Sequence, residues 1–511
     1  MVQTQRQEIA ELRRQMAEMR DEIARLKGKP PRPDVKPSST ADKTAGAGAR
    51  AATGSTKRKK RGRGSKRSRL EVDEERFLEP AHVPEGARFK GYEDYVVQDL
   101  EVRRRTIRYR RERWETPDGR TITAELPAGT AGHYGGELRR LILSLYHSGQ
   151  MTVPRITRQL NAFGVLIDQR QVQRLMGDRE NVFVPESREV LRAGVASAAW
   201  ISVDDTGARH RGQNGYCTQV GNDCFTAFAT TDAKSRLDFL EILRAGHTDY
   251  VVNVEALAYM AHRNLPNAVI EQLAAGPTHF PDKASWQAHL SALGLDRRAG
   301  CARIATEGAL YGAIAHHGLL DDVVVLSDDA GQFRIANHAL CWVHAERLIK
   351  GLDTFTDRER AAVAKIRKLI WAFYDALKGY AEAPSGKRRK QLRQRFDQIC
   401  RRKTGFAPLD RQLQRLYKRK EELLKVLERP EVPLNTNGSE NDIRSHVTRR
   451  NVSGGTRSDH GRDCRDAHLG LMKTCDKLGI SYWQYLGSRL GLPDAEAIPP
   501  LADLIRARAP T

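Results

Sequence analysis

The chain has 511 residues, enough for roughly two to four domains with a sizeable core, and its 86 lysines and arginines against 64 aspartates and glutamates leave a surplus of +22 that suits a polyanionic partner, nucleic acid foremost. No apolar run approaches the ~18 residues of a membrane span, and the first residues carry charges where a signal peptide needs its apolar centre. The seven cysteines form no Cys-x-x-Cys pair, which argues against a zinc ribbon or a disulfide framework; the expectation is a soluble cytoplasmic protein with reduced thiols and no membrane partner.

Residues 1–28 carry a heptad, with Val2, Ile9, Met16 and Ile23 at one core position and Gln5, Leu12, Met19 and Leu26 at the other. Glu8 with Arg13, and Glu22 with Lys27, are placed to bridge two parallel helices, so a coiled-coil homodimer or higher oligomer is expected; a lone amphipathic helix is the competing reading. Residues 29–70 read as a disordered basic linker: Pro, Gly, Ala, Ser and Thr without periodicity, then a run from Lys57, Arg58, Lys59, Lys60 and Arg61 to Arg69. That run is too self-repulsive to pack and suits salt-dependent contact with phosphates, although a solvated tail has the same composition.

From 71 to 130 the alternation of Tyr95–Val102, Thr106–Trp114 and Thr121–Leu126, with a turn at Pro117-Asp-Gly119, predicts a small β-rich module. Residues 131–190 predict a helical DNA-binding domain. Its helices are Glu137–His147, Thr152–Phe163 with Pro154 in the first turn, and a third capped by Asp168, with Gly164 separating the last two. Arg170 and Arg174 on the third helix give it the look of a recognition helix in a helix-turn-helix, a pattern also common in helical domains that never touch DNA.

The apolar run Ala198–Val203 is expected to deliver Asp204 at its end, and Gly215–Val220 and Cys224–Ala229 around Gly221-Asn-Asp223 complete three antiparallel strands. The buried run Val323–Leu326 delivers Asp328, and Glu440 stands at a helix start in Asn-Gly-Ser-Glu. Residues 195–344 and 431–480 are therefore assigned to an α/β, ribonuclease-H-like mixed-sheet core. Three carboxylates converging there suit two Mg²⁺ or Mn²⁺ ions, which take oxygen ligands. Asp205 and Asp329 stand next to them, but neighbours in a strand point to opposite faces, so one of each pair is expected at the metals. The 440 − 328 = 112 positions between Asp328 and Glu440 are too many for a loop, and 345–430 reads as an all-helical insertion. Cys341 and His344 lack a second ligand pair, so His344 is expected to support the active site rather than bind zinc. Arg444, Arg449 and Arg450 are candidate phosphate contacts. Residues 481–511 read as a C-terminal helical tail.

Val203-Asp-Asp-Thr206, Leu326-Ser-Asp328, Leu340-Cys-Trp-Val-His-Ala-Glu-Arg347 and Asn435-Thr-Asn-Gly-Ser-Glu-Asn-Asp-Ile-Arg444 together resemble the transposases of the insertion sequence 66 family, bacterial enzymes of the DDE class. The resemblance continues through Arg449-Arg-Asn451, Gly454-Gly455, Leu471-Met-Lys-Thr-Cys475 and Tyr485-Leu486. It implies that Asp204, Asp328 and Glu440 form the catalytic and metal-binding triad of an enzyme that cuts transposon ends and joins their 3′-hydroxyls to target DNA. It also implies a nucleoid-associated location and small accessory proteins from the same element. The chain departs from the family pattern in three places. It has no Cys-x-x-Cys zinc module between linker and core, Asn435-Thr-Asn437 stands for the usual Asp-Asn-Asn, and Val452 stands where a tryptophan is common. The alternatives are a catalytically inactive, transposase-derived DNA-binding regulator and a metal-dependent nuclease without strand transfer.

Overall fold

The computed structural model describes residues 72–127, 130, 132–177, 182–335 and 337–508. The predicted coiled coil and the basic run with Lys57, Arg58, Lys59, Lys60 and Arg61 lie outside the described residues. The chain divides into two units, one ending at Val102 and one beginning at Arg103. The described part of the first has no regular secondary structure and is exposed throughout; Phe77 and Phe89 each set a ring 5.1 Å from that of Tyr92.

The expected β-rich module is therefore corrected. Of its strands only β1 (Arg113–Glu115) and β2 (Thr121–Thr123) form, as an antiparallel hairpin around Gly119, and Tyr95–Val102 is not a strand. An alternating pattern stabilises a strand only where its apolar face is covered. Here Trp114 and Ile122 remain 64% and 59% exposed.

Three short helices follow: α1 (Gly136–Leu143, continued by a π-helical turn at Ser144–Ser148), α2 (Val153–Ala162) and α3 (Gln169–Met176). They enclose a small core of Ile142, Ile156, Leu160, Val172 and Leu175. Asp168 caps α3 in a reciprocal box with Gln171, as expected; Thr152 holds the capping position of α2 without a side-chain bond.

Helix α4 (Phe183–Ser197) leads into β3 (Trp200–His210), β4 (Gln213–Gly221) and β5 (Thr226–Thr231). β3 turns into β4 through Arg211 and Gly212, both left-handed (φ 51° and 80°), the backbone of a two-residue hairpin that glycine adopts without strain. Five helices and a two-stranded ribbon then lead back to the sheet. They are α5 (Arg236–Leu243), β6 (Tyr250–Val251), α6 (Val254–His262), α7 (Asn267–Ala274), β7 (His279–Phe280), α8 (Lys283–Ala292) and α9 (Ala299–His316). They place β8 (Val324–Ser327) and β9 (Asn337–Leu340) parallel to β3, so the sheet runs β5-β4-β3-β8-β9 with antiparallel and parallel halves meeting at β3.

The segment after β9 is helical: α10 (Trp342–Lys350), α11 (Asp357–Glu382), α12 (Gly386–Cys400), α13 (Ala407–Lys418) and α14 (Lys420–Leu423) share their own apolar core around Trp342, Phe373, Phe396 and Leu409. The chain returns as α15 (Asn437–Ser453) and α16 (Asp459–Leu478). Gly470 of α16 lies so close to Thr226 that a Cβ there would sit 2.9 Å from its carbonyl oxygen, which lets the helix lie directly on β5. Helices α17 (Tyr482–Arg489) and α18 (Leu501–Ala507) bury Tyr485, Leu486, Leu501 and Ile505 in the same core as the sheet, so the C-terminal segment is a structural layer rather than a tail. Among the described residues no helix is long and apolar enough to cross a membrane.

Candidate active site

The parallel pairing of β3 with β8 decides where the first two carboxylates lie. Trp200 pairs with Val324 and Ser202 with Leu326, an offset of 124 positions. Asp204 and Asp328 are separated by the same 328 − 204 = 124, so continuing the register by two residues sets them side by side. The strand does not end at Asp204, as the sequence pattern suggested, but runs on to His210; Asp328 does follow directly on β8. The longer β3 arises because residues beyond Asp204 pair with β4, a partner that an apolar run does not reveal.

Side-chain alternation then assigns the faces. Ser202 and Asp204 share one face of β3, and the Ser202 hydroxyl meets that of Ser439 on α15, the residue before Glu440. Asp205 points the other way, where it accepts from Lys234 Nζ and Gln332 Nε2, each at 2.7 Å. Asp329, with left-handed φ of 88°, is gripped by Arg334, Arg415 and Arg419 at 2.5, 2.8 and 3.2 Å. The second aspartate of each pair is thus neutralised by cations or an amide. Among the described residues Asp204 and Asp328 make no ion pair; each accepts a backbone N–H, from Asp205 at 2.8 Å and from Ala330 at 3.0 Å.

Burial pushes the Asp204 carboxyl up to about 6, against the hydrogen bond from the Asp205 amide and with the help of the negative charge of Asp328. His344, on the first turn of α10, is the common neighbour of the three acids: it acts electrostatically on Asp204 and Asp328, and its Nε2 lies 3.6 Å from Glu440 Oε1. Its imidazole is held above the usual range, chiefly by a hydrogen bond with Cys341 and further by Asp328. Burial pushes the Cys341 thiol up, but hydrogen bonds with His344 and Thr436 outweigh it and bring the thiol below its usual range. Glu440 Oε1 is buried without a hydrogen-bond donor among the described residues; Arg347 Nη1 approaches it at 3.3 Å as an ion pair. An all-oxygen donor set with one carboxyl raised by burial and further by a neighbouring carboxylate, and a glutamate oxygen left without a donor, fits a hard divalent cation such as Mg²⁺.

Two residues that pattern reading left without roles emerge here. Arg347 neighbours both Glu440 and His344, and buried Asp442 seats α15 on the sheet. Asp442 Oδ2 accepts from Thr226 Oγ1 at 2.6 Å and Lys477 Nζ at 2.7 Å. The only sequence signal for either was its place inside a recognised motif.

The candidate DNA contacts separate. Arg170 and Arg174 are exposed one turn apart on α3, and exposed Arg444 bonds Asn441 rather than Glu440. Half-buried Arg450 donates to the Gly207 carbonyl. Arg449 is corrected: it is 2% exposed, stacks its guanidinium 3.6 Å over the Tyr146 ring and donates to the carbonyls of Tyr146 and Met151, so it packs the molecule and offers nothing to phosphate. Position along α15 decides this, because Arg449 continues the buried stripe of Asp442 and His446 whereas Arg444 lies off it.

A mixed α/β fold carrying an acidic cluster where its parallel strands end is the class of molecule this geometry defines. Residues 322–463, which include Asp328 and Glu440 but not Asp204, match the family described as Transposase IS66 family. The chain is also 50% identical over 324 residues, 63% of its own length and 100% of the relative's, to Uncharacterized protein y4jO of Sinorhizobium fredii (strain NBRC 101917 / NGR234). The chain belongs to the IS66 transposase family.

Proposed function

We propose that the chain is a metal-dependent DDE transposase with a ribonuclease-H-like core that cleaves DNA at the ends of its element and transfers the 3′-hydroxyls into target DNA. The observation that carries this reading is the shared 124-residue offset that sets Asp204 beside Asp328, on the face turned toward the helix of Glu440. Asp204, Asp328 and Glu440 would hold two Mg²⁺ or Mn²⁺ ions, which when bound activate the attacking water or 3′-hydroxyl and stabilise the leaving oxygen. Asp205 and Asp329, each tied to neighbouring cations or amides, anchor the backbone so that the preceding aspartate faces the opposite way. Arg347 and His344 orient Glu440 and carry positive charge to the place where a scissile phosphate has to sit.

Arg170, Arg174 and Arg444, with the basic run at 57–61, supply phosphate contacts along transposon-end and target DNA. The protein works as a homodimer or higher oligomer through its N-terminal heptads, alongside small accessory proteins of the same element, in the bacterial cytoplasm at the nucleoid. The test is incubation of the purified chain with labelled DNA carrying its element's ends, with Mg²⁺, with Mn²⁺ and with chelator. Metal-dependent nicking at the element boundary and joined products are expected. Asp204→Asn, Asp328→Asn and Glu440→Gln should each lower cleavage at least ~100-fold while leaving DNA affinity within a few-fold. Cleavage that survives all three substitutions rules the assignment out.

A further inference from the structure

Beneath the acidic face, one turn beyond Asp442 on the buried side of α15, lies His446. It is 1% exposed, and neither Nδ1 nor Nε2 has a hydrogen-bond partner among the described residues. It faces Cys217 of β4, 0% exposed, and Asp466 of α16, 4% exposed; one ring nitrogen, the thiol sulfur and a carboxylate oxygen all lie within 4.8 Å of one another. Leaving both nitrogens of a buried imidazole unsatisfied is costly, and native interiors avoid it by giving such groups a bound partner.

The surroundings are built for a cation with N, S and O ligands. Both ring nitrogens of His446 are buried without a hydrogen-bond partner among the described residues, so the imidazole has a lone pair to offer a metal. Asp466 Oδ1 accepts from both Nε and Nη2 of Arg465, at 3.2 and 3.1 Å, and Oδ2 accepts from the Thr230 amide at 2.7 Å, which leaves Oδ2 with a further lone pair. Partners of this kind orient a metal-binding carboxylate. Thiolate, imidazole and carboxylate together suit Zn²⁺ or Co²⁺ and not Mg²⁺.

We propose that Cys217, His446 and Asp466 bind one transition-metal ion of the zinc class, which clamps β4, α15 and α16 together under Glu440. Binding forms the metal–sulfur bond and releases the Cys217 proton to solvent. Cys217 lies more than 200 positions before the consecutive helices that carry His446 and Asp466, and it stands in no Cys-x-x-Cys pair, so cysteine spacing gives no hint of the site. No substrate reaches it, and its role is structural.

The test is titration of the chelator-treated full chain with Co²⁺ in excess Mg²⁺, following the near-ultraviolet thiolate-to-cobalt band. One equivalent should produce the band in wild type, in Asp328→Asn, which removes an acid of the active site, and in Cys341→Ser and Cys464→Ser, which remove the thiol–imidazole pairs with His344 and His460. Cys217→Ser and His446→Asn should abolish it. Zinc should bleach the band and raise the Tm of wild type but not of those two variants. Absence of the band from wild type overturns the proposal and leaves a bound water as the partner of His446, as does a band that survives Cys217→Ser. Should both ligand variants fail to fold, Asp466→Asn and the zinc content of the purified wild type, about one equivalent or none, decide. Each of these outcomes is independent of whether the chain cleaves DNA.

Discussion

Asp204 shows how burial makes a single carboxyl costly to ionise, a cost that a bound cation would offset under the proposed function. In chelator the folded protein keeps its proton up to about pH 6, whereas the unfolded chain gives it up near the ordinary 3.8. The folded state therefore binds the extra proton between those values. Stability attributable to this group falls as pH rises through about 4 to 6 and stays low above. At about 1.4 kcal/mol per pH unit the neutral-pH penalty is on the order of 2–3 kcal/mol. Asp204→Asn should thus raise the Tm of the metal-free protein at pH 7 and have little effect near pH 4, while Mg²⁺ should stabilise wild type and not the variant. Parallel pH–Tm profiles for the two proteins in chelator would refute this account of Asp204. The positions of Asp204 and Asp328 after apolar runs were legible in the sequence, although the run before Asp204 did not mark a strand end; the near-neutral titration was not legible, because it comes from burial and from Asp328, 124 positions away.

At the scale of elements, α15 is the part that matters, since it carries Glu440 to a sheet whose other acids lie 440 − 328 = 112 and 440 − 204 = 236 positions earlier. Its hold on the sheet is polar. Asp442 takes bonds from β5 and from Lys477 of α16, and His446 and Arg449 continue the same buried stripe. Removing one partner of a buried ion pair strands the other, so Asp442→Ala should cost about 3–5 kcal/mol in denaturant unfolding, whereas Asp442→Asn, which can still accept from Thr226, should cost less. Cleavage should fall in Asp442→Ala even under conditions where it is folded, because Glu440 loses its fixed position. If the unfolding midpoint of Asp442→Ala matches that of wild type, Asp442 does not seat the helix. The helices of the insertion were readable from their periodicity. The strands of 71–130 were misread because alternation alone does not supply a partner strand. β9 went unread because Asn337–Leu340 is four residues long and becomes a strand only by pairing with β8.

For the whole molecule, the proposed function together with the surplus of 22 positive charges predicts DNA affinity governed by counterion release, with log K falling by about 0.9 per phosphate contacted for each unit of log salt. The arginines of α15 divide that expectation. Arg444→Ala should weaken binding for all sequences and reduce the salt slope by about 1. Arg449→Ala should leave the slope unchanged and cost about 2–3 kcal/mol of stability, from two carbonyls left without a donor and a lost cation–π contact. A flattened salt slope in Arg449→Ala would show that this arginine reaches phosphate after all.

By itself the sequence determined the positions of Asp204, Asp328 and Glu440 within its motifs, the three-stranded start of the sheet, the helical character of 345–430 and the family, because each is written in local pattern or in a motif of adjacent residues. Tertiary structure alone decided that Asp204 faces Glu440 while Asp205 faces Lys234, that Arg449 is packing and Arg444 surface, and that Cys217, His446 and Asp466 meet. The physical reason is that register, side-chain facing and desolvation are properties of pairs of segments. Only when β3 lies against β8 and α15 against β4 does the low-dielectric contact exist that sets one carboxyl near neutrality and buries one histidine without a partner.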